Sequence, residues 1–388
     1  MKQKIILGGP GCGKTTHLLD IVEQELKQGI KPSEILFCSF TRKATYEALD
    51  RTRVRFGLER QDLPNFRTLH SIAYRQLNLT KEDIMTASHY EELGRALGLK
   101  FSGIDENLGL VLGKHDGDQL AFQEQMMRVR KQTESNVTIK DYWNYKRYVD
   151  ALEDFKKIRK VLDHTDVIIH FTLYADPPNV KVVIVDEAQD LSAIQWDMVR
   201  KLANHDTVER VYIAGDDDQA IYGWAGADVD QFLELTGEQY VLPKSHRLPI
   251  KIFHVANGIT NRISKRYNKE WTCREEQGKV SYVLDITQCP IGNGESWLLL
   301  ARTNYLLYDI ITELELRGLP YYNKGRSSLD NDDVRAILNY EKLKAGETLS
   351  REAMNYIIRR LTPPMNQTKL PSKTEFFTKD NVPIPLCE

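Results

Sequence analysis

Apolar positions along the chain follow two different periods. Short, nearly unbroken apolar runs recur at Lys4–Gly9 (KIILGG), Glu34–Phe40 (EILFCSF), Lys181–Asp186 (KVVIVD) and Arg210–Asp216 (RVYIAGD). A strand with one wet face alternates apolar and polar residues. These runs do not, so they predict strands buried on both faces of a parallel sheet. Between them apolar residues recur at helical spacing, in THLLDIVEQELKQG, ATYEALDRTRVRFG and SAIQWDMVRKLAN. Alternating strands and helices predict an α/β sheet covered by helices. Ligands of such sheets bind outside the carboxyl ends of the strands. The polar residues of this chain gather at those ends, which points to one site assembled from distant segments.

The rhythm breaks between 85 and 165. This stretch reads as mostly helical, with the charged run DYWNYKRYVDALEDFKKIRK, and predicts an inserted helical subdomain. From 239 the alternation returns, with QYVL, KVSYVLD and SWLLLART as strands, YLLYDIITELELRG as a helix, then LPYYN. That predicts a second α/β domain. Two helical patterns follow Ser328, and then a polar tail rich in turn formers.

A chain of 388 residues has room for two or three domains. Its 53 basic and 55 acidic residues leave a net charge of -2. The overall field therefore argues neither for nor against nucleic acid, and any such contact needs a local groove. No apolar run approaches the roughly 18 residues of a membrane span, and MKQKIILGGPGCGK lacks the pattern of a signal peptide. The five cysteines, Cys12, Cys38, Cys273, Cys289 and Cys387, form no CxxC pair and none lies at metal spacing from histidine. Neither a disulfide framework nor a zinc site is expected, and a reducing, cytoplasmic setting is.

Two segments carry phosphate chemistry. GGPGCGKT (Gly8–Thr15) fits G-x-x-x-x-G-K-[ST] between an apolar strand and a helix, the context this motif requires. A glycine-rich turn with a surface lysine is the plainer alternative, and the flanking strand and helix argue against it. The loop Gly9, Pro10, Gly11, Cys12 and Gly13, with Thr16 just inside the helix, lets backbone N–H groups converge on phosphate oxygens. Lys14 supplies a mobile cation and the Thr15 hydroxyl suits Mg²⁺. VVIVDEAQD adds Asp186, at a strand end where a carboxylate can hold Mg²⁺, and Glu187, which can take a proton from an attacking water. Acids also favour the first turn of a helix, so this second motif counts chiefly beside the first. Together they specify hydrolysis or transfer of ATP or GTP without choosing a substrate.

GDDDQAIYGWAGAD (Gly215–Asp228) narrows the choice. From its residues alone, Tyr222 and Trp224 fit packing beneath the loop better than an exposed role. In context, the segment resembles the third motif of superfamily 1 DNA helicases of the UvrD/Rep/PcrA type, GDxDQSIYxWRGA, as DEAQD resembles their DExQD. Other stretches are similar to further motifs of that family in the same order. They are FCSFTRKATYEA, FRTLHSIAYR, LPKSHRLP, LLARTNYLL and YYNKGRSSLDNDDVRAILNY.

The resemblance implies two RecA-like P-loop domains with parallel sheets. The first would span 1–84 and 166–238, with the helical insertion at 85–165. A partial second domain would span 239–327, and the start of a second inserted subdomain 328–388. It implies an ATP- and Mg²⁺-dependent, DNA-stimulated, monomeric motor, running 3′ to 5′ on single-stranded DNA and at junctions with duplex. Gln219 would orient water or touch the γ-phosphate, and Arg247 would reach it as an arginine finger. His246, where the family has tyrosine, would stack on the adenine. Phe40, Thr41, Arg42, His70, Tyr222, Trp224, Arg302 and Asn304 would contact DNA, while Asp216 to Asp218 would lie near Mg²⁺.

Three departures are visible. Ala225 replaces the arginine of WRGA. The family's adenine-reading glutamine motif has no counterpart before the phosphate loop except Gln3. The HxxKGLE and LxYVAxTRA segments, the latter a source of another arginine to ATP, have no match. The chain is therefore expected to resemble the first half to two-thirds of a helicase, to hydrolyse slowly and to unwind duplex poorly. An ATP-gated DNA-binding fragment is the chief alternative, and a P-loop kinase of a small substrate a distant one.

Overall fold

The computed structural model describes residues 2–105, 109–133, 141–360, 375–378 and 380. Cys387 and most of the polar tail lie outside the described residues. The chain divides into two compact units, 1–280 and 281–388.

The first unit is built on one parallel sheet. β1 (Lys2–Leu7) leads through the glycine loop into α1 (Lys14–Lys27), and β2 (Ile35–Ser39) into α2 (Arg42–Phe56) and α3 (Leu69–Gln76). Then come α4 (Ala87–Leu97), a small antiparallel pair β3 (Ile104–Asp105) and β4 (Leu110–Val111), α5 (Asp116–Val129), α6 (Tyr142–Arg159) and α7 (His164–Tyr174). The chain re-enters the sheet as β5 (Val182–Asp186), followed by α8 (Ala193–Ala203), β6 (Arg210–Gly215), α9 (Val229–Leu233), β7 (Glu238–Val241) and α10 (Ile250–Thr260). The strand order is β2-β5-β6-β1-β7, with every neighbouring pair parallel.

The unbroken apolar runs are explained by two cores. Ile6, Phe37 and Ile184 face α1 and α2 and pack with Leu18, Val22 and Leu49. Their neighbours Ile5, Leu7, Cys38, Val183 and Val185 face the other side and pack with residues of α3, α7 and α8. Both faces are covered, so every position of β2 and β5 is buried. The helical stretch keeps a core of its own around Tyr90, Leu93, Tyr148 and Leu152. Its root is tied by the partly buried Arg128, which donates to Asp163 at 2.6 Å and Asp166 at 2.7 Å and pairs with Glu124; Lys156 joins the same acids.

Two strand expectations change. QYVL does not open a second sheet; β7 pairs with β1 and becomes the edge of the first, with Leu7 opposite Val241. The runs KVSYVLD and SWLLLART carry no strand among the described residues, and Leu284, Leu298 and Leu300 are almost fully exposed. A strand needs a neighbour to satisfy its backbone groups, and neither run has one there. The parallel sheet expected across 239–327 is therefore not formed, although the α/β class and the first P-loop sheet are as read. The second unit carries α11 (Leu307–Leu316), a hairpin of β8 (Tyr322–Asn323) and β9 (Arg326–Ser327), α12 (Asp332–Lys344) and α13 (Arg351–Arg360), with β10 (Leu349–Ser350) paired to β11 (Phe376–Phe377). Leu343, Met354, Ile357 and Phe377 form its core.

Candidate nucleotide site and neighbouring cleft

Because all five strands are parallel, the loops after β1, β2, β5, β6 and β7 emerge at one edge of the sheet. The loop after β1 turns on Gly11 and Gly13, both with positive φ (73° and 82°). Only glycine adopts that conformation without strain. The turn delivers Lys14 and Thr15 to the first positions of α1. The buried Lys14 Nζ folds back onto the Gly8 carbonyl at 3.1 Å. Thr15 donates its hydroxyl hydrogen to Asp186 Oδ2 at 2.8 Å, joining the loop to the end of β5. Cys12 is buried beneath the loop, and its thiol is pushed up by that burial. Thr16 follows in the helix.

Asp186 is buried, and its carboxyl is pushed up to about 6 by desolvation first and by the neighbouring Glu187 second. Thr15 and Lys14 oppose that shift. Glu187 takes a left-handed conformation (φ 53°), unusual for a residue with a side chain. Its carboxylate accepts from Gln189 Nε2 at 2.9 Å. The other end of that amide accepts the Asp216 backbone N–H at 3.0 Å, so Gln189 links the ends of β5 and β6. A hard divalent cation bound with phosphates takes one or two protein oxygens. The Thr15 hydroxyl and Asp186 carboxylate are such a pair, and a cation there would offset the burial and the Glu187 charge that raise Asp186.

The acidic turn at the end of β6 is paired with cations of its own. The fully buried Lys269 reaches Asp216 Oδ1 and Asp217 Oδ1 at 2.5 Å each and Asp218 Oδ2 at 3.0 Å, and Arg266 reaches Asp218 at 2.5 Å. Buried carboxylates need paired charge, and these cations supply it. Gln219 donates from Nε2 to Asp216 Oδ2, so its amide is held at the same edge.

The segment after β7 closes over the phosphate loop. Ser245 Oγ donates to the Pro10 carbonyl at 2.6 Å, and the His246 N–H donates to the Gly11 carbonyl at 2.9 Å. Trp271 lies against Gly9 so closely that a Cβ there would meet its ring at 2.4 Å; one on Gly11 would meet Arg247 Cβ at 2.3 Å. His246 and Arg247 are exposed. The His246 backbone and the Arg247 Cβ lie beside the loop. Gln3 does not. It begins β1, at the opposite end from the loop, and its amide donates to the Thr236 carbonyl.

Beyond the acidic turn, aromatic rings run in sequence. Phe40 lies 5.1 Å from Tyr222, and Tyr222 lies 6.4 Å from Trp224, centroid to centroid. Trp224 is 51% exposed, so it is not a packing residue beneath the loop. The turn is buttressed from α5: Arg130 donates to the Gly223 carbonyl at 2.8 Å, and Val129 abuts Gly226. Phe40 also borders a cleft of about 430 Å³ lined by Arg42, Tyr46, Arg60, Arg67, His70, Tyr74 and Lys81. No acid is among its described lining residues. Arg67 is pulled down by burial first, with Arg75 and Arg60 adding to the shift. His70 is held neutral, pushed down to about 3 by burial and by His164 beside it. Thr41 caps α2, accepting the Ala44 N–H at 3.2 Å. Arg302 and Asn304 are exposed residues of the second unit.

Asp190 and Ala225 share a small cavity of about 40 Å³ with Phe40, His70 and His164. The Asp190 Oδ1 is buried without a hydrogen-bond partner there, and burial, then Glu187, pushes its carboxyl up to about 7.

Residues 1–239 match the model of the UvrD/REP helicase N-terminal domain. The chain belongs to the UvrD/REP helicase family. It is 27% identical over 318 residues to a probable DNA helicase II homolog of Rickettsia felis, covering 72% of this chain and 46% of that protein. It is 25% identical over 421 residues to the putative ATP-dependent DNA helicase YjcD of Bacillus subtilis, covering 96% and 54%. With the ATP-dependent DNA helicase PcrA of the same bacterium it shares 27% identity over 310 residues, 72% of this chain and 40% of the relative. The chain thus spans about half the length of the curated relatives it matches. No described helix is long and apolar enough to cross a membrane.

The sequence reading missed Lys269, Arg266, Trp271 and Arg130. Each is an ordinary charged or aromatic residue in its own segment. Only the fold reveals what it meets.

Proposed function

We propose that this chain is the ATPase core of a DNA helicase or translocase that couples ATP hydrolysis to movement on single-stranded DNA. One observation carries the reading: a phosphate loop with its acid pair and an aromatic and cationic cleft, with no acid among its described lining residues, lie along one sheet edge, joined by the short turn 216–224. A P-loop kinase needs the first but not the second.

In this reading Gly9 to Gly13 offer backbone N–H groups to the phosphates, and Lys14 leaves the Gly8 carbonyl to meet the β- and γ-phosphate oxygens. Mg²⁺, held by Thr15 and Asp186, would neutralise developing phosphate charge. Glu187 accepts the proton of the attacking water, positioned for it by Gln189. Gln219 orients that water, and Arg247 reaches over the loop toward the γ-phosphate. His246 lies where a stacking base would be met. Tyr222 and Trp224 stack on bases, at roughly 1–3 kcal/mol each, while Arg42, Arg60, Arg67 and Lys81 hold the backbone phosphates. Phe40, Thr41 and His70 line that path; Arg302 and Asn304 are DNA contacts of the second unit taken by itself. The direction is 3′ to 5′ and the substrate a single strand or its junction with duplex.

Hydrolysis measured with and without oligo(dT), and strand displacement on 3′- and 5′-tailed duplexes, test the reading. Turnover indifferent to DNA would end it. Displacement favouring a 5′ tail would reverse the polarity. Binding of both ligands without turnover would favour an ATP-gated DNA-binding fragment.

A further inference from the structure

The acidic turn ties up more buried charge than a nucleotide site needs for itself. Asp216, Asp217 and Asp218 place three carboxylates within 3.0 Å of one ammonium group, Lys269 Nζ, whose side chain is completely inaccessible. Arg266 shares Asp218, and the Tyr267 N–H donates to Asp217 Oδ2 at 2.9 Å. Three negative charges thus meet two positive ones. The same segment also touches the phosphate loop, because Trp271 covers Gly9. It is fastened to 243–245 by the Thr272 N–H to the Pro243 carbonyl at 2.8 Å and the Ser245 N–H to the Thr272 carbonyl at 2.7 Å. Ser245 in turn holds Pro10.

We propose that Lys269 is a positioning residue that couples the hydrolytic end of the site to the aromatic turn, through hydrogen bonds that end at Gln219 and the short stretch of chain from there to Tyr222. The path is short and named. Lys269 holds Asp216 Oδ1. Asp216 Oδ2 accepts from Gln219, and the Asp216 N–H donates to Gln189, which donates to Glu187. Three residues beyond Gln219 the chain reaches Tyr222. Ammonium charge at the centre of the turn keeps Asp216 in place against Asp217 and Asp218, and so fixes Gln219 and the start of the aromatic element together. Without it, two uncompensated carboxylates would repel one another in a dry site and the turn would open. Glu187, Gln219 and Tyr222 would then move independently.

This inference rests on the ATPase and DNA-binding reading above. Its test is Lys269→Met alone and combined with Asp217→Asn. The single change leaves three acids facing one cation. The double change leaves two acids facing one cation, the same net charge as the unaltered turn, and the new amide oxygen can still accept from Tyr267. A misplaced catalytic group costs on the order of 10² in rate. The single variant should therefore lose about 10²-fold in kcat for oligo(dT)-stimulated hydrolysis while KM for ATP stays within about twofold. Oligo(dT) affinity should fall about 2–30-fold, the usual size of a coupling change. The double variant should recover most of both losses. An unchanged kcat in the folded single variant, or a folded double variant no better than the single, would overturn the proposal. If Lys269→Met does not fold by itself, the double variant is compared with the unaltered chain, and a folded double variant that has lost about 10²-fold in kcat would overturn the proposal. If the unaltered chain neither hydrolyses ATP nor binds oligo(dT), the functional reading falls and the coupling with it. If it does both and the variants match it, only the coupling falls.

Discussion

Two glycines of the phosphate loop make a matched pair of perturbations. Gly11 and Gly13 share a left-handed backbone, so alanine at either is strained by about 1–2 kcal/mol. Their surroundings differ. A Cβ on Gly13 meets nothing within 4 Å, whereas one on Gly11 would lie 2.3 Å from Arg247 Cβ and 3.1 Å from Ser245 Oγ. Gly11→Ala must therefore also push the 245–247 segment off the loop, with loss of the His246 to Gly11 and Ser245 to Pro10 hydrogen bonds. At about 0.5–1.5 kcal/mol each, these add about 1–3 kcal/mol. In a domain of this size 1 kcal/mol moves Tm by about 2–4 °C. Gly11→Ala should thus melt roughly 2–12 °C below Gly13→Ala when both are scanned without nucleotide. Equal melting temperatures would show that the 245–247 segment does not rest on the loop, and would remove Arg247 and His246 from the site.

Three further outcomes follow from the same geometry. Lys14→Ala should abolish turnover and weaken ATP binding, while Glu187→Gln should abolish turnover with binding largely intact, as read by single-turnover hydrolysis and a fluorescent nucleotide. Trp224→Ala should weaken oligo(dT) binding by about 1–3 kcal/mol with little base preference, whereas nucleotide affinity without DNA should hardly move. Asp190 should give stability a definite pH dependence in the nucleotide-free protein. Its carboxyl is raised from 3.8 to about 7 in the fold, so the folded state binds the proton more tightly. The stabilisation is full below about pH 4 and is lost as pH rises toward 7. Asp190→Asn should flatten that part of a Tm-against-pH curve, and an unaltered curve would mean that Asp190 is not buried as described.

The sheet and the phosphate chemistry were legible because their signals are local. Unbroken apolar runs report burial on both faces, and glycine spacing with strand before and helix after reports the loop. The pairing of Thr15 with Asp186, 171 residues apart, follows once both are placed at strand ends. What could not be read is long-range partnership. The runs around Leu284 and Leu298 look like strands because apolar alternation describes a strand's faces and not its neighbours. Lys269 and Arg266 look like surface charges, since nothing in KRYNKEW reveals three buried acids fifty residues earlier. Trp224 shows the reverse case: its residue type alone suggested packing, whereas its ring is half exposed at the end of an aromatic series.

The account rests on the claim that the nucleotide site and the aromatic cleft work as one device. Steady-state ATP hydrolysis by the 388-residue chain, titrated with oligo(dT), tests this most directly. The predicted result is a saturable rise in kcat with DNA, absent in Glu187→Gln and reached only at higher oligonucleotide concentration in Trp224→Ala. A rate that is measurable but the same at every DNA concentration would contradict it.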